Sequence, residues 1–257
     1  MPLKHATAGK VAFGLLVLFA ATAVFSQTTT NEIFAARAEK EFRRTQKLFA
    51  SDANNPTNGW QFARACFDFA DFSTNKTQRA DIARQGIAAA QSGLAREPQS
   101  APAHYYLAMD YGQLAEAEEP SITAYKLIRE IEREFKIAAG LDGHFDFAGP
   151  SRNLGLLYRD APGWPVSIGS KRKAREFLEE AAALAPDYPE NQLNLAESLL
   201  KWRSRDDAEK VLVKLDALWP MAQTNLTGEF WEQSWSDWTS RLVAAQAEFQ
   251  KNYKRAP

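Results

Sequence analysis

Few side chains in this 257-residue chain have the type and spacing to do chemistry. The histidines are His5, His104 and His144, and the single cysteine is Cys66. A metal site needs three or four convergent ligands. His144 has only Asp142 and Asp146 beside it, in LDGHFDFAGP, and reads as a surface turn. Cys66 lies among apolar neighbours in WQFARACFDFA, where a thiol acts as a small buried hydrophobe; alone, it forms no internal disulfide. No HExxH, GxSxG, phosphate loop or dinucleotide fingerprint is present. The paired carboxylates Glu179–Glu180 and Asp206–Asp207 fall in charged helical stretches, where solvation is the default. The expectation is no catalytic set, no metal and no cofactor, hence no enzyme. Function must come from surfaces.

Surfaces need elements to position them, and the composition points to helices. The chain is 45% hydrophobic, rich in Ala, Leu, Glu, Lys, Arg and Gln, and nearly free of β-branched runs. Its 31 basic and 32 acidic residues balance, so no field of one sign exists to attract nucleic acid or an anionic membrane. Lys4, His5 and Lys10 flank the start of VAFGLLVLFAATAVF, which small residues follow; this is the pattern of a secretory leader cleaved after Ser26, residues 1–26. An uncleaved N-terminal anchor would be the one route to a membrane. Without Lys4 and Lys10, 29 basic residues face 32 acidic ones.

A period then emerges. Ala174, Leu178, Ala181 and Pro186 are spaced 4, 3 and 5 apart, as are Ala208, Leu212, Leu215 and Pro220 one 34-residue step later; Gly86, Ala90, Gly93 and Pro98 repeat the spacing. Such a stripe lies along one helix face, and the proline is expected to end the helix. Leu154–Gly155 with Tyr158, Leu107–Ala108 with Tyr111, and Leu195–Ala196 with Leu199 mark the helices that pair with these stripes. His104 opens the unit in which Leu107 and Ala108 recur, at a position where the tetratricopeptide repeat, which this pattern resembles, usually has a large aromatic.

The pattern resembles the tetratricopeptide repeat (TPR), a 34-residue helix–turn–helix unit. The resemblance implies an all-α, right-handed solenoid of about four units, over 55–99, 100–143, 144–187 and 188–220. A capping helix at 27–54 and another at 221–257 complete it. Trp231, Trp235, Trp238, Leu242, Ala245 and Phe249 form one apolar stripe, suited to covering the last repeat or to meeting a partner.

In such a solenoid the first helix of each unit lines the concave face. Counting from the repeat landmarks, that face takes Gln61, Asp68, Tyr105, Met109, Gln113, Arg152, Arg159, Asp160, Glu197 and Lys201. The mixture lacks the clustered Lys, Asn and Arg of carboxylate-gripping TPR domains. The third unit is interrupted by YRDAPGWPVSIGS, after which Ser170 can cap a helix. Trp164 and Pro165 in this loop, with His144, Phe145 and Phe147 in HFDFAGP, are candidate binding residues. Trp164 either plugs a gap in the solenoid or is offered to a partner.

Residues 144–202 resemble the TPR-type T component associated with TRAP transporters, in the acidic-aromatic segment, the LGLLY helix, the Pro- and Gly-rich insertion and the APDY that follows. That resemblance implies an exported bacterial protein with a solute-binding protein as partner and a ligand-accessible cavity. The expectation overall is an exported scaffold of the bacterial cell envelope that binds protein through its groove and loops; the alternative is a small-molecule-binding transport accessory.

Overall fold

The computed structural model describes the backbone of residues 10–118 and 121–253, and the side chains of 31–118, 121–122 and 124–251. The expected leader, residues 1–26, lies outside the described side chains. The described residues form ten α-helices: α1 (Lys10–Ser51), α2 (Pro56–Ala70), α3 (Lys76–Leu94), α4 (Ala101–Glu118), α5 (Ile122–Leu141), α6 (Phe145–Asp160), α7 (Lys171–Leu184), α8 (Pro189–Lys201), α9 (Arg205–Asn225) and α10 (Glu232–Tyr253). One 3-10 turn, Glu229–Trp231, precedes α10, and no strand occurs among these residues. Helices α2/α3, α4/α5, α6/α7 and α8/α9 are antiparallel hairpins stacked side by side in a TPR-type solenoid.

Local sequence sets the helix starts. Asn55, Asn75, Ser121 and Ser170 each accept a hydrogen bond from a backbone N–H in the first turn of α2, α3, α5 and α7, at 2.9–3.3 Å. Each satisfies a donor that has no partner within the helix. Pro56 and Pro189 open α2 and α8, where their missing N–H costs nothing.

Packing follows the small-and-large logic of the repeat. A Cβ at Gly155 would stand 2.6 Å from Leu178 Cγ, so only glycine lets α6 and α7 approach this closely. Ala108, Ala174, Ala196 and Ala208 are fully buried, and Leu154, Leu178 and Tyr158 fill the space between. His104 is buried as well: Nδ1 lies 2.5 Å from Glu134 Oε2 and Nε2 lies 3.0 Å from the Pro98 carbonyl. Here a polar contact tethers α4 to α5 where an aromatic ring was the expected fit.

One feature departs from the sequence reading. Pro220 does not end its helix; α9 continues to Asn225. Leu218 and Ala222, on either side of the proline, are buried with Tyr188, Leu193 and Trp238, and that burial offsets the ~3 kcal/mol cost of an interior proline. The apolar stripe of α10 meanwhile turns inward: Trp238, Ala245 and Phe249 are buried, and Trp235 Nε1 donates to the Leu226 carbonyl at 2.6 Å.

The core also holds a strained choice. Asp110 is 0% exposed, neither carboxylate oxygen has a hydrogen-bond partner, and a Cβ at the facing Gly86 would lie 2.1 Å from Oδ2. Burial, with a lesser contribution from the negative charge of Asp68, raises its pKa well above the usual carboxylate value. The native state therefore keeps a proton that the unfolded chain releases above about pH 4, so this group's contribution to stability declines as pH rises. Asp110→Asn removes that proton uptake. In thermal melts the variant should gain on the wild type as the pH rises above about 4; a pH-independent difference contradicts this assignment.

Candidate partner-binding groove

The centre of the concave face is built around the start of α6. Asp146, Phe147 and Ala148 have φ of 50°, 54° and 61°, three successive non-glycine residues in the left-handed region. Each costs roughly 1–2 kcal/mol, so neighbouring groups must hold the turn. Arg152 does so: Nη1 donates to the carbonyls of Asp146 and Phe147, both at 3.2 Å, and Nη2 to Asp146 Oδ2 at 2.8 Å. From α8, Asn191 accepts from Arg152 Nη1 at 3.1 Å and donates to the Phe147 carbonyl at 2.9 Å. From α4, the Tyr105 hydroxyl donates to Asp146 Oδ2 at 2.7 Å and accepts from Asn153 Nδ2 at 3.0 Å. Gly149 makes room for that hydroxyl, since a Cβ there would sit 2.8 Å from it.

The turn presents Phe147 to the groove. Its ring stacks on Tyr188, centroids 4.3 Å apart at 11°, and meets Trp231 edge-on at 5.8 Å, with 40% of the residue still exposed. Beside it lies a charged cluster. Arg64 Nε is 3.7 Å from Asp68 Oδ2, and the guanidinium stands 6.0 Å from the Tyr106 ring centroid and 5.3 Å from that of Phe230. The Asp68 side chain keeps 46% of its surface accessible although protein atoms surround it. Desolvation pushes its pKa up to about 6, with Arg64 opposing the rise and the charges of Asp71, Asp146 and Glu41 adding to it.

Farther along, Arg159 donates to both oxygens of Asp160, at 2.9 and 2.7 Å, and to Ser198 Oγ at 3.2 Å; Lys201 Nζ reaches Asp160 Oδ1 at 3.2 Å. Burial would raise the Asp160 pKa, but Arg159 and Lys201 outweigh it and hold the pKa below its usual value. Glu197 is gripped from α10 by Arg241, at 2.8 and 2.9 Å, and Arg241 also donates to Asn194 Oδ1 at 2.5 Å. Helix α10 thus terminates the groove.

The structure sorts the expected groove residues by depth. Tyr105 is 2% exposed and Gln113 and Arg152 are also buried, so these three form the floor and not the contact surface. Gln113 is occupied by a hydrogen bond to Asp71. Met109, Arg159, Asp160, Glu197 and Lys201 keep accessible surface. Phe145 packs against Tyr105 and Tyr106, and His144 is exposed without a side-chain cap on α6. Pro165 is exposed, and Trp164 is 87% exposed, which rules out the plug; Ile168 packs on the core in its place. Among the described residues no group of three His, Cys, Asp or Glu could hold a metal ion. A cavity of about 530 Å³ lies between α1 and α3, lined by Phe42, Phe69 and Ile82 with polar neighbours, away from the Trp164 loop.

The sequence reading missed Arg64, Phe230 and the contact that closes the groove. Arg37 on α1 pairs with Glu229 at 2.7 Å and Glu232 at 2.6 Å, so the first helix clasps the segment leading into α10. No local pattern links residues this far apart.

Comparison with known proteins fits this architecture. Residues 28–139 match the sequence model of a family described as RMD1-3, regulator of microtubule dynamics protein 1-3; the match ends before α6. No curated protein matches the chain. Among solved structures, TTC0263, a thermophilic TPR protein of Thermus thermophilus, superposes with a TM-score of 0.60 at 17% identity, covering 82% of this chain and 92% of that one. Two crystal structures of MamA each give 0.49, at 18% and 16% identity; they cover 69% and 76% of this chain and 85% and 93% of theirs. The likeness to TTC0263 shows the fold, a TPR-type solenoid.

Because exposed ion pairs contribute about 0–1 kcal/mol, Arg37→Glu should leave the melting temperature nearly unchanged. It should nevertheless speed amide hydrogen exchange in residues 226–232, as Glu229 and Glu232 are repelled. Unchanged exchange there contradicts a clasp.

Proposed function

We propose that this chain is a scaffold that holds an extended segment of a protein partner in its concave groove. The observation that carries the reading is the cluster at the start of α6: the accessible charges of Arg64 and Asp68 stand beside the exposed ring of Phe230, which meets Phe147 through Trp231, on a floor fixed by buried hydrogen bonds; Asp160 and Lys201 supply further accessible charge farther along. A segment with one apolar side chain between flanking charges would match that lining, and a preformed floor lowers the ordering cost of binding it. The leader-like N-terminus supports export to a bacterial cell envelope as the setting. The transport-accessory alternative rests on the likeness of residues 144–202 alone, and Trp164 is turned outward.

Panning a phage-displayed random peptide library on the protein tests the reading. Enriched peptides should bind at least roughly tenfold more weakly to Arg64→Glu and Asp68→Lys, a loss on the scale of one desolvated charge contact, and equally well to Val213→Ser on an exposed site elsewhere. Those that place a cation at Asp68 should bind more tightly above pH 6 than below it, because Asp68 ionises across that range. Peptides indifferent to both groove substitutions would refute the proposal.

A further inference from the structure

The loop between α6 and α7 has a construction of its own. Its base is pinched: Gly163 and Gly169 form a bridge, the Gly169 N–H donates to the Pro162 carbonyl at 2.9 Å, and the Ser170 N–H to the Tyr158 carbonyl at 2.8 Å. A Cβ at Gly169 would fall 2.0 Å from the Ala161 carbonyl oxygen, so glycine is required where the two sides of the loop meet. With Ile168 anchored on the core, the tip is Trp164, Pro165 and Val166. Trp164 is the most exposed large hydrophobic side chain among the described residues, and Val166 is 63% exposed. Neither packs into the core of the solenoid.

Cations surround the base. Arg159 precedes the loop, Lys171, Arg172 and Lys173 follow it, and Lys201 reaches in from α8 to Asp160. Against these five stand the carboxylates of Asp160 and Glu176, a local charge of +3 on a chain whose net charge is −1. The Lys171 ammonium lies 5.6 Å over the Trp202 ring and the Lys173 ammonium 4.8 Å over the Tyr158 ring, which holds both charges at the base of the loop. The next charges outward are already paired: Arg175 with Glu179 and Asp207, and Lys136 with Glu132.

We propose that this loop docks the protein on an anionic phospholipid surface. Indole favours the boundary between headgroups and acyl chains, where its ring is shielded and its N–H stays wet. Two apolar side chains anchor weakly by themselves, and a ring of cations supplies the second attraction that such anchoring needs. A bilayer also demands no matching shape, which suits an exposed tip. This site meets the groove only at Arg159, Asp160 and Lys201, lies apart from its Arg64–Asp68 end, and is separate from any N-terminal apolar anchor.

The test uses the full chain with Val166→Cys carrying an environment-sensitive fluorophore; Cys66 is fully buried, so the label goes to the loop. The probes are vesicles of phosphatidylcholine alone and of equal parts phosphatidylcholine and phosphatidylglycerol. The emission should shift to the blue on the anionic vesicles only and return in high salt. Trp164→Ala, and separately Lys171→Glu with Arg172→Glu, should each cut the shifted fraction by roughly tenfold while circular dichroism stays unchanged. A label that reports water on both vesicles overturns the proposal and leaves the loop to a protein contact. A shift that survives these substitutions, or is equal on neutral vesicles, overturns it too, because the N-terminal segment then carries the binding.

Discussion

A guanidinium buried in a helical core must find partners for its charge, and Arg152 finds them on α6 itself and on α8. Removing such a group from water costs several kcal/mol unless hydrogen bonds and an opposite charge replace the lost solvation. The carboxylate and carbonyl of Asp146, the carbonyl of Phe147 and the amide oxygen of Asn191 supply them, and the Tyr188 ring lies 5.3 Å from the guanidinium carbon. The left-handed turn at 146–148 is the conformation that brings both carbonyls to Arg152. Tyr105 ties the same carboxylate to α4, and Asn191 ties the same turn to α8. The register of three repeats and the projection of Phe147 therefore depend on one side chain.

Phe147 extends that dependence to the C-terminal end. Its contacts with Tyr188 and Trp231 join the turn to the segment before α10, which Arg37 clasps from α1 and which places Phe230 over Arg64. The concave face is in this way bounded at both ends and lined by groups whose positions are determined from below. Its floor is neutralised internally, while the ion pairs at its rim, Arg64 with Asp68 and Lys201 with Asp160, stay accessible to solvent. The Trp164 loop, by contrast, is held by glycines and by one inward isoleucine, and shares only Arg159, Asp160 and Lys201 with the groove.

How much of this was legible in the sequence depends on the range of the interaction. The 4-3-5 spacing at Ala174, Leu178, Ala181 and Pro186, and the glycine at 155, report helix-on-helix packing within one repeat, and the solenoid follows from them. Ser170 is an N-cap that sequence alone can place. Repeat phase also indicated which side chains point inward, but phase carries no information on depth, so Tyr105, Gln113 and Arg152 looked like contact residues when they are floor. The turn at 146–148 gave little sign of itself, because Phe147 and Ala148 do not favour left-handed backbone and only tertiary hydrogen bonds hold them there. The Arg37 clasp and the continuation of α9 past Pro220 likewise arise from contacts between distant segments.

Arg152→Met, measured by hydrogen exchange and thermal melting, tests this dependence most directly. Methionine fills similar space but leaves Asp146 and the two carbonyls without their donor. The expected result is a loss of about 3–5 kcal/mol, seen as a melting temperature lower by roughly 6 °C or more at about 2–4 °C per kcal/mol, with faster exchange at 144–150 and 188–192. A variant that melts like the wild type and keeps those amides protected would show that the left-handed turn is held by something other than Arg152.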